Sequence, residues 1–195
     1  MAIPGHEAVR RLLDLDFRDA RSVLDLTYAR GGLWRNPLPP GITLETNNID
    51  SHAATDHHVN FTALPFPDGA YDLVVLDPPH IADGGKASLM AARFGTVRGT
   101  APLRALIQAG CGEAWRVARV GVLVKVADHE HEGRLLQLSR WVEDVLGPTS
   151  MFIHTVRRTK LIDSKWKQQR SPRCNYATYL SFRKDRARHR AWRIG

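Results

Sequence analysis

Apolar residues fall along this chain in short blocks of two kinds, and the two kinds alternate. Near the start, Val9, Leu12, Leu13 and Phe17 recur at helical spacing and predict a short first helix. The compact run Ser22-Val23-Leu24-Asp25-Leu26 then predicts a strand that empties into the turn TYARGG. The prolines of RNPLPPG at 35–41 forbid a regular helix, so any helix after the first strand is cut to a stub. Ile42 to Thr46 predicts a second strand, closing on Asn47-Asn48-Ile49-Asp50. Leu73-Val74-Val75-Leu76 is a more apolar one that halts at Asp77-Pro78-Pro79-His80.

Residues 81–100 hold few large apolar groups and predict a loop. Helical spacing resumes from Pro102 to Val117, a strand follows at 121–126, and Arg134 to Leu146 predicts an amphipathic helix stopped by Gly147-Pro148. Met151 to Leu161 and Tyr176 to Phe182 predict two strands joined by the basic loop DSKWKQQRSPRC. Strands alternating with helices, then a terminal hairpin, imply a mostly parallel sheet with helices on both faces. No repeat or low-complexity linker divides the chain, so residues 1–195 are expected to form a single domain.

Composition narrows the class. A chain of 195 residues with 43% hydrophobic and 25% charged residues buries a full core without staples. It has no apolar run of the ~18–20 residues needed to cross a bilayer, and its start, MAIPGHEAVRRLL, has no apolar core or cleavage site of a secretion signal. Cys111 and Cys174 are the only cysteines, which argues against a disulfide scaffold or a cysteine metal site and for the reducing cytoplasm. His52, His57 and His58 lie in a polar stretch without a ligand pattern, and no metal is expected. His129 and His131 read as a polar loop after a strand.

Charge is segregated. The net charge is +8, yet the segment 157–195 alone carries +11 and the remainder −3. Such asymmetry favours a polyanionic partner over a merely solubilising tail, because aromatic residues are interleaved with the cations. Lys165, Trp166, Lys167, Arg170 and Arg173 crowd the loop between the last two strands and suit phosphate contacts with base stacking.

The chemistry concentrates at the strand ends. An apolar strand running into Asp77-Pro78-Pro79 sets a carboxylate at the edge where open α/β sheets bind ligands. The prolines fix φ and lack N–H groups, so the turn is rigid and its carbonyls face outward. A carboxylate and a nearby carbonyl together accept both hydrogens of an exocyclic amino group, and the flat ring of His80 could stack on a base. Lys125, interrupting an apolar strand, reads either as a long side chain reaching solvent or as a contact to substrate phosphate.

These segments resemble the class I S-adenosylmethionine-dependent methyltransferases, in the branch that modifies amino groups of adenine or cytosine in nucleic acids and carries a D/N/S-P-P-Y/F/W motif. LPFPDGAYDLVVLDPPH at 64–80, EAWRVARVGVLVKVAD at 113–128 and NYATYLSFRK at 175–184 carry the resemblance, which runs from Ser22 to Lys184. It implies a Rossmann-like α/β fold with a mostly parallel seven-stranded sheet and a C-terminal antiparallel hairpin. It also implies S-adenosyl-L-methionine as cofactor and transfer to adenine N6 or cytosine N4.

By position, Asp25 matches the acidic residue opening the cofactor loop, and Thr27, Ala29 and Gly31 stand where that loop has alternating glycines. Asp50 matches the acidic residue that grips the ribose, with Glu45 the competing candidate. Asn60 and Phe61 match contacts to the cofactor's adenine ring. Asp77, Pro78, Pro79 and His80 match the catalytic motif, His80 replacing the usual aromatic residue.

DNA is the favoured substrate and structured RNA its competitor. A separate target-recognition domain is not expected, so reading a long sequence would need a partner, either a second copy or a specificity subunit. Other readings are an inactive nucleic-acid-binding scaffold and a methyltransferase acting on small molecules or proteins.

Overall fold

The computed structural model describes residues 3–80, 97–156 and 176–185. Helix α1 (Gly5–Leu15) buries Ala8, Val9, Leu12 and Leu13, while Arg10–Asp14 and Arg11–Glu7 pairs line its outer face. After it come β1 (Ser22–Asp25), β2 (Thr43–Thr46) and β3 (Tyr71–Leu76), the last buried along its whole length. Helix α2 (Thr100–Val117) leads into β4 (Ala118–Val126). A small hairpin, β5 (His129–His131) and β6 (Arg134–Leu136), precedes α3 (Leu138–Leu146). Strands β7 (Met151–Val156) and β8 (Tyr176–Arg183) close the sheet.

The main sheet runs β2-β1-β3-β4-β8-β7. Its first four strands are parallel, and β8 is antiparallel to both β4 and β7. Period-two alternation sends neighbouring residues to opposite faces. Leu24, Val74, Leu76, Val122 and Val124 pack with α2 and α3 on one side. Val23, Leu73, Val75 and Leu123 pack with α1 on the other. From β1 the chain goes outward to β2 on one side and then returns to β3 on the other. The β1/β3 boundary is therefore the topological switch point, where the strand ends leave a crevice.

Three expectations need correction. The main sheet has six strands among the described residues, not seven. Where a further strand would flank β2, only a single parallel bridge forms, between Asn47 and His57. The surrounding SHAATDHH stretch offers no alternating apolar side chains to cover a face, so nothing extends the ladder. The predicted helix from Arg134 to Leu146 begins only at Leu138, because Arg134–Leu136 pairs with His129–His131. Glu132 and Gly133 both take positive φ, +50° and +78°, the requirement of a two-residue type I′ hairpin. His129 and His131 therefore lie on a strand instead of in a loop. Asp128 then accepts hydrogen bonds from the Ser139 backbone N–H and hydroxyl, satisfying a donor of the first turn of α3.

Candidate active site

The ends of β1, β3 and β4 meet at the switch point, and hydrogen bonds join them. Asp25, 1% exposed, closes β1. One of its carboxylate oxygens accepts the Thr27 N–H at 2.8 Å and the other the Trp34 indole N–H at 2.6 Å. Burial pushes its pKa up to about 6, the negative Asp77 nearby adds to the rise, and the two donors pull the other way. Thr27 in turn accepts the Asp77 N–H on its hydroxyl at 2.7 Å.

Asp77 follows β3, and its Oδ2 receives the Lys125 ammonium from β4. Its Oδ1 is buried without a hydrogen-bond partner among the described residues. Pro78 is buried, with its carbonyl oxygen 3.3 Å from His80 Nδ1, and His80 is half-buried.

Of these groups, Thr27, Asp77 and Lys125 open onto a cleft of about 420 Å³. Thr27, Tyr28, Ala29, Arg30 and Gly32 form one wall, Asp77 and Lys125 the floor, and Tyr179 of β8 with Pro4 and Gly5 at the start of α1 the other wall. The α1 approach is tight: a Cβ on Gly5 would lie 2.3 Å from the Tyr179 hydroxyl. Ala29 holds φ +51°, a left-handed conformation that an L side chain adopts at a cost of roughly 1–2 kcal/mol. The loop thus keeps the backbone path of a glycine at a position where the sequence has alanine. Gly31, at φ +68°, tucks under the Tyr28 side chain instead of lining the cleft.

The cleft brings together Thr27, Ala29 and Asp77, with Asp25 bonded beneath them. It does not include Pro78, Pro79 or His80 of the motif, nor Asp50, Asn60 or Phe61. Asp50 is exposed, and its Oδ1 accepts the His52 N–H at 2.9 Å. Asn60 is exposed as well, its side-chain oxygen accepting from the N–H and hydroxyl of Thr62. Phe61 packs against α2, where a Cβ on Gly110 would come within 2.6 Å of its ring. Both polar side chains are engaged in short turns of the loop beyond β2, which is joined to the sheet edge by the Asn47–His57 bridge and by bonds such as Thr46–Asp56 and Asn47–Val59. Glu45 lies elsewhere again, accepting from the Tyr71 hydroxyl and paired with His57. Lys165, Trp166, Lys167, Arg170 and Arg173 lie outside the described residues.

The structure adds residues that pattern reading did not assign. Lys125 carried a signal, a cation inside VGVLVKV, but not the identity of its partner. Tyr28, Arg30 and Trp34 sit in the loop after β1, where spacing had pointed only to the glycine positions. The contribution of Pro4 and Gly5 depends on α1 lying beside β8, a contact across the chain that no local pattern signals.

The strand order, the reversed final pair and the crevice at the switch point define a Rossmann-like methyltransferase fold. Solved structures share it. A candidate methyltransferase from Bacillus halodurans matches with a TM-score of 0.52 at 11% identity, over 90% of this chain and 98% of its own. A candidate sarcosine dimethylglycine methyltransferase from Galdieria sulphuraria matches with 0.52 at 12% identity, over 92% and 84%. TrmN from Thermus thermophilus matches with 0.50 at 14% identity, over 91% of this chain and 48% of its own. At these identities the likeness establishes the fold. No protein-family profile and no curated protein sequence matches the chain. Among the described residues, no helix is long and apolar enough to cross a membrane.

Proposed function

We propose that this protein is an S-adenosylmethionine-dependent methyltransferase acting on the exocyclic amino group of a base in DNA, adenine N6 or cytosine N4. One observation carries the reading: a carboxylate at the end of β3, in the crevice, has one oxygen fixed and the other buried and unpartnered among the described residues. A buried acceptor without a donor costs about 1–3 kcal/mol, so it is best explained by a donor that arrives with the substrate. The amino group of a base is such a donor. Asp77 Oδ1 accepts one of its hydrogens and the Pro78 carbonyl the other, which aims the nitrogen lone pair away from both. The same oxygens stabilise positive charge developing on that nitrogen.

The cofactor fits the remaining lining. Thr27, Ala29 and Gly32 present small groups along one wall, Arg30 supplies a cation for a carboxylate, and Tyr28 and Tyr179 supply aromatic surface. Asp50 and Asn60, in the loop beyond β2 and outside this cleft, are assigned to its ribose and adenine on the resemblance alone. When bound, the cofactor supplies a methyl group on a positively charged sulfur, already activated for transfer to nitrogen. What is left to the protein is positioning. The basic segment 157–195 supports a nucleic-acid substrate. DNA is preferred because the Asp-Pro-Pro motif resembles that of small DNA amino-methyltransferases. On a duplex the target base must leave the stack, at a cost of a few kcal/mol.

Incubation with methyl-labelled cofactor and separate DNA, RNA and protein fractions, followed by nucleoside mass spectrometry, tests this. We expect label in N6-methyladenine or N4-methylcytosine of DNA, reduced by about 10²–10³-fold or more in Asp77→Ala. Label confined to RNA moves the substrate while keeping the chemistry. Label on protein, or tight nucleic-acid binding with no cofactor binding, overturns the reading.

A further inference from the structure

Two of the contacts on Asp77 come from residues to which the resemblance gives no such role. Lys125 lies on β4, between β3 and β8, with its side chain only 13% exposed and buried residues on either side. An ammonium so placed needs a counter-charge. The parallel register that sets Leu76 beside Val124 carries Asp77 alongside it. The pair occupies Oδ2, restrains rotation of the carboxylate, and leaves Oδ1 as the oxygen without a partner among the described residues.

Thr27 grips the same residue from the other side. Its N–H donates to Asp25 and its hydroxyl accepts from the Asp77 N–H, so it ties the end of β1 to the end of β3. Glycine, the residue the cofactor loop of the resembled family has here, has no hydroxyl and would leave that N–H without this acceptor.

We propose that Thr27 and Lys125 are positioning residues that together fix the Asp77 carboxylate, and that Thr27 thereby couples the cofactor loop to the acceptor site. The proposal rests on the reading of Asp77 as the group that holds the amine. It has a consequence opposite to the one the sequence suggests. Thr27→Gly, which restores the glycine of the family loop, should impair the enzyme instead of improving it. Because Lys125 neutralises Asp77, the amine is held by directed hydrogen bonds more than by net charge.

The test compares wild type, T27G, T27S, K125M and K125R in the full chain. It measures kcat and KM for a DNA substrate, cofactor affinity by calorimetry, and hydrogen exchange of the Asp77 amide. T27G and K125M are expected to lower kcat by about 10²-fold, the effect of a small misplacement, with cofactor affinity little changed. T27S, which keeps the hydroxyl, and K125R, which keeps the charge, should recover most of the rate. The Asp77 amide should exchange about tenfold faster in T27G than in wild type or T27S.

Wild-type turnover in T27G, or T27S falling as far as T27G, overturns the proposal. So does an Asp77 amide equally protected in wild type and T27G, a readout that holds even if no methyl transfer occurs. Absence of transfer in wild type, with the amide exchange as expected, would instead count against the methyltransferase reading alone.

Discussion

Asp25 combines full burial with two strong hydrogen bonds, and its titration follows from that conflict. A free aspartate ionises near 3.8, whereas this one ionises at about 6. Between those values the folded chain holds a proton that the unfolded chain has lost, so this group's contribution to stability falls as pH rises through the window. Above it the buried charge costs about 3 kcal/mol relative to the neutral form. Asp25→Asn removes the titration. Thermal melting of both forms from pH 4 to 7 should show the asparagine variant gaining on the wild type by several degrees as pH rises. A difference that stays flat across that range contradicts the buried titration.

At this scale the sequence was informative about identity and less so about partners. The place of Asp77 at the end of a buried strand was legible because an apolar run breaks there on Asp-Pro-Pro, a common strand-end turn that gained meaning only beside Asp25 at the end of the neighbouring strand. That Asp25 is engaged by Trp34 was not, since the two meet only after the proline-rich loop has folded back. Asp50 and Asn60 had suitable types at suitable strand ends, but side chains like these also bond their own backbone two residues on, and here they do.

Elements were more legible than the contacts between them. The apolar runs that became β1, β3 and β4 are recoverable by eye because strands buried on both faces need little polar punctuation. The late start of α3 was hidden because Glu-Gly is a weaker hairpin signal than Asn-Gly. Glycines illustrate how element context decides a substitution. On β4, a Cβ at Gly121 would lie 2.2 Å from the Phe182 carbonyl oxygen and 2.8 Å from the Phe17 ring. The carbonyl belongs to the β4–β8 ladder and has no room to retreat.

Gly112, on an exposed turn of α2, would meet nothing within 4 Å. Gly121→Ala should therefore destabilise the fold by about 1–3 kcal/mol, and Gly112→Ala should stabilise it by about 1 kcal/mol. Denaturant melts of the two variants read these opposite signs directly. If both shift the midpoint in the same direction, this account of β4 packing is wrong.

Over the whole molecule, charge and fold are separated along the chain. The segment up to residue 156 is mildly acidic and contains most of the described architecture, while the cations collect in 157–195. A substrate backbone that displaces counterions from those cations binds with an affinity that falls as salt rises. Charge reversal at Lys165, Lys167 and Arg170 should weaken DNA binding. It should also shallow the slope of log affinity against log salt by about 0.9 for each phosphate no longer neutralised. An unchanged slope would remove this segment from the interface. The substrate remained the least legible property, because cations specify a polyanion and do not distinguish one nucleic acid from another.

The cleft is walled by the opening of α1 and by Tyr179 of β8, residues more than 170 positions apart. Arg183 reinforces that closure by pairing with Asp19 across a separation of 164 positions. A ribosome delivers these pieces in order, so the parallel half of the sheet is free to assemble while its final wall is still being synthesised. A nascent or truncated chain ending before β8 would carry Asp77 on an open ledge. Enclosure of the site thus waits on β8, and a chain cut short before it lacks the wall that Tyr179 supplies.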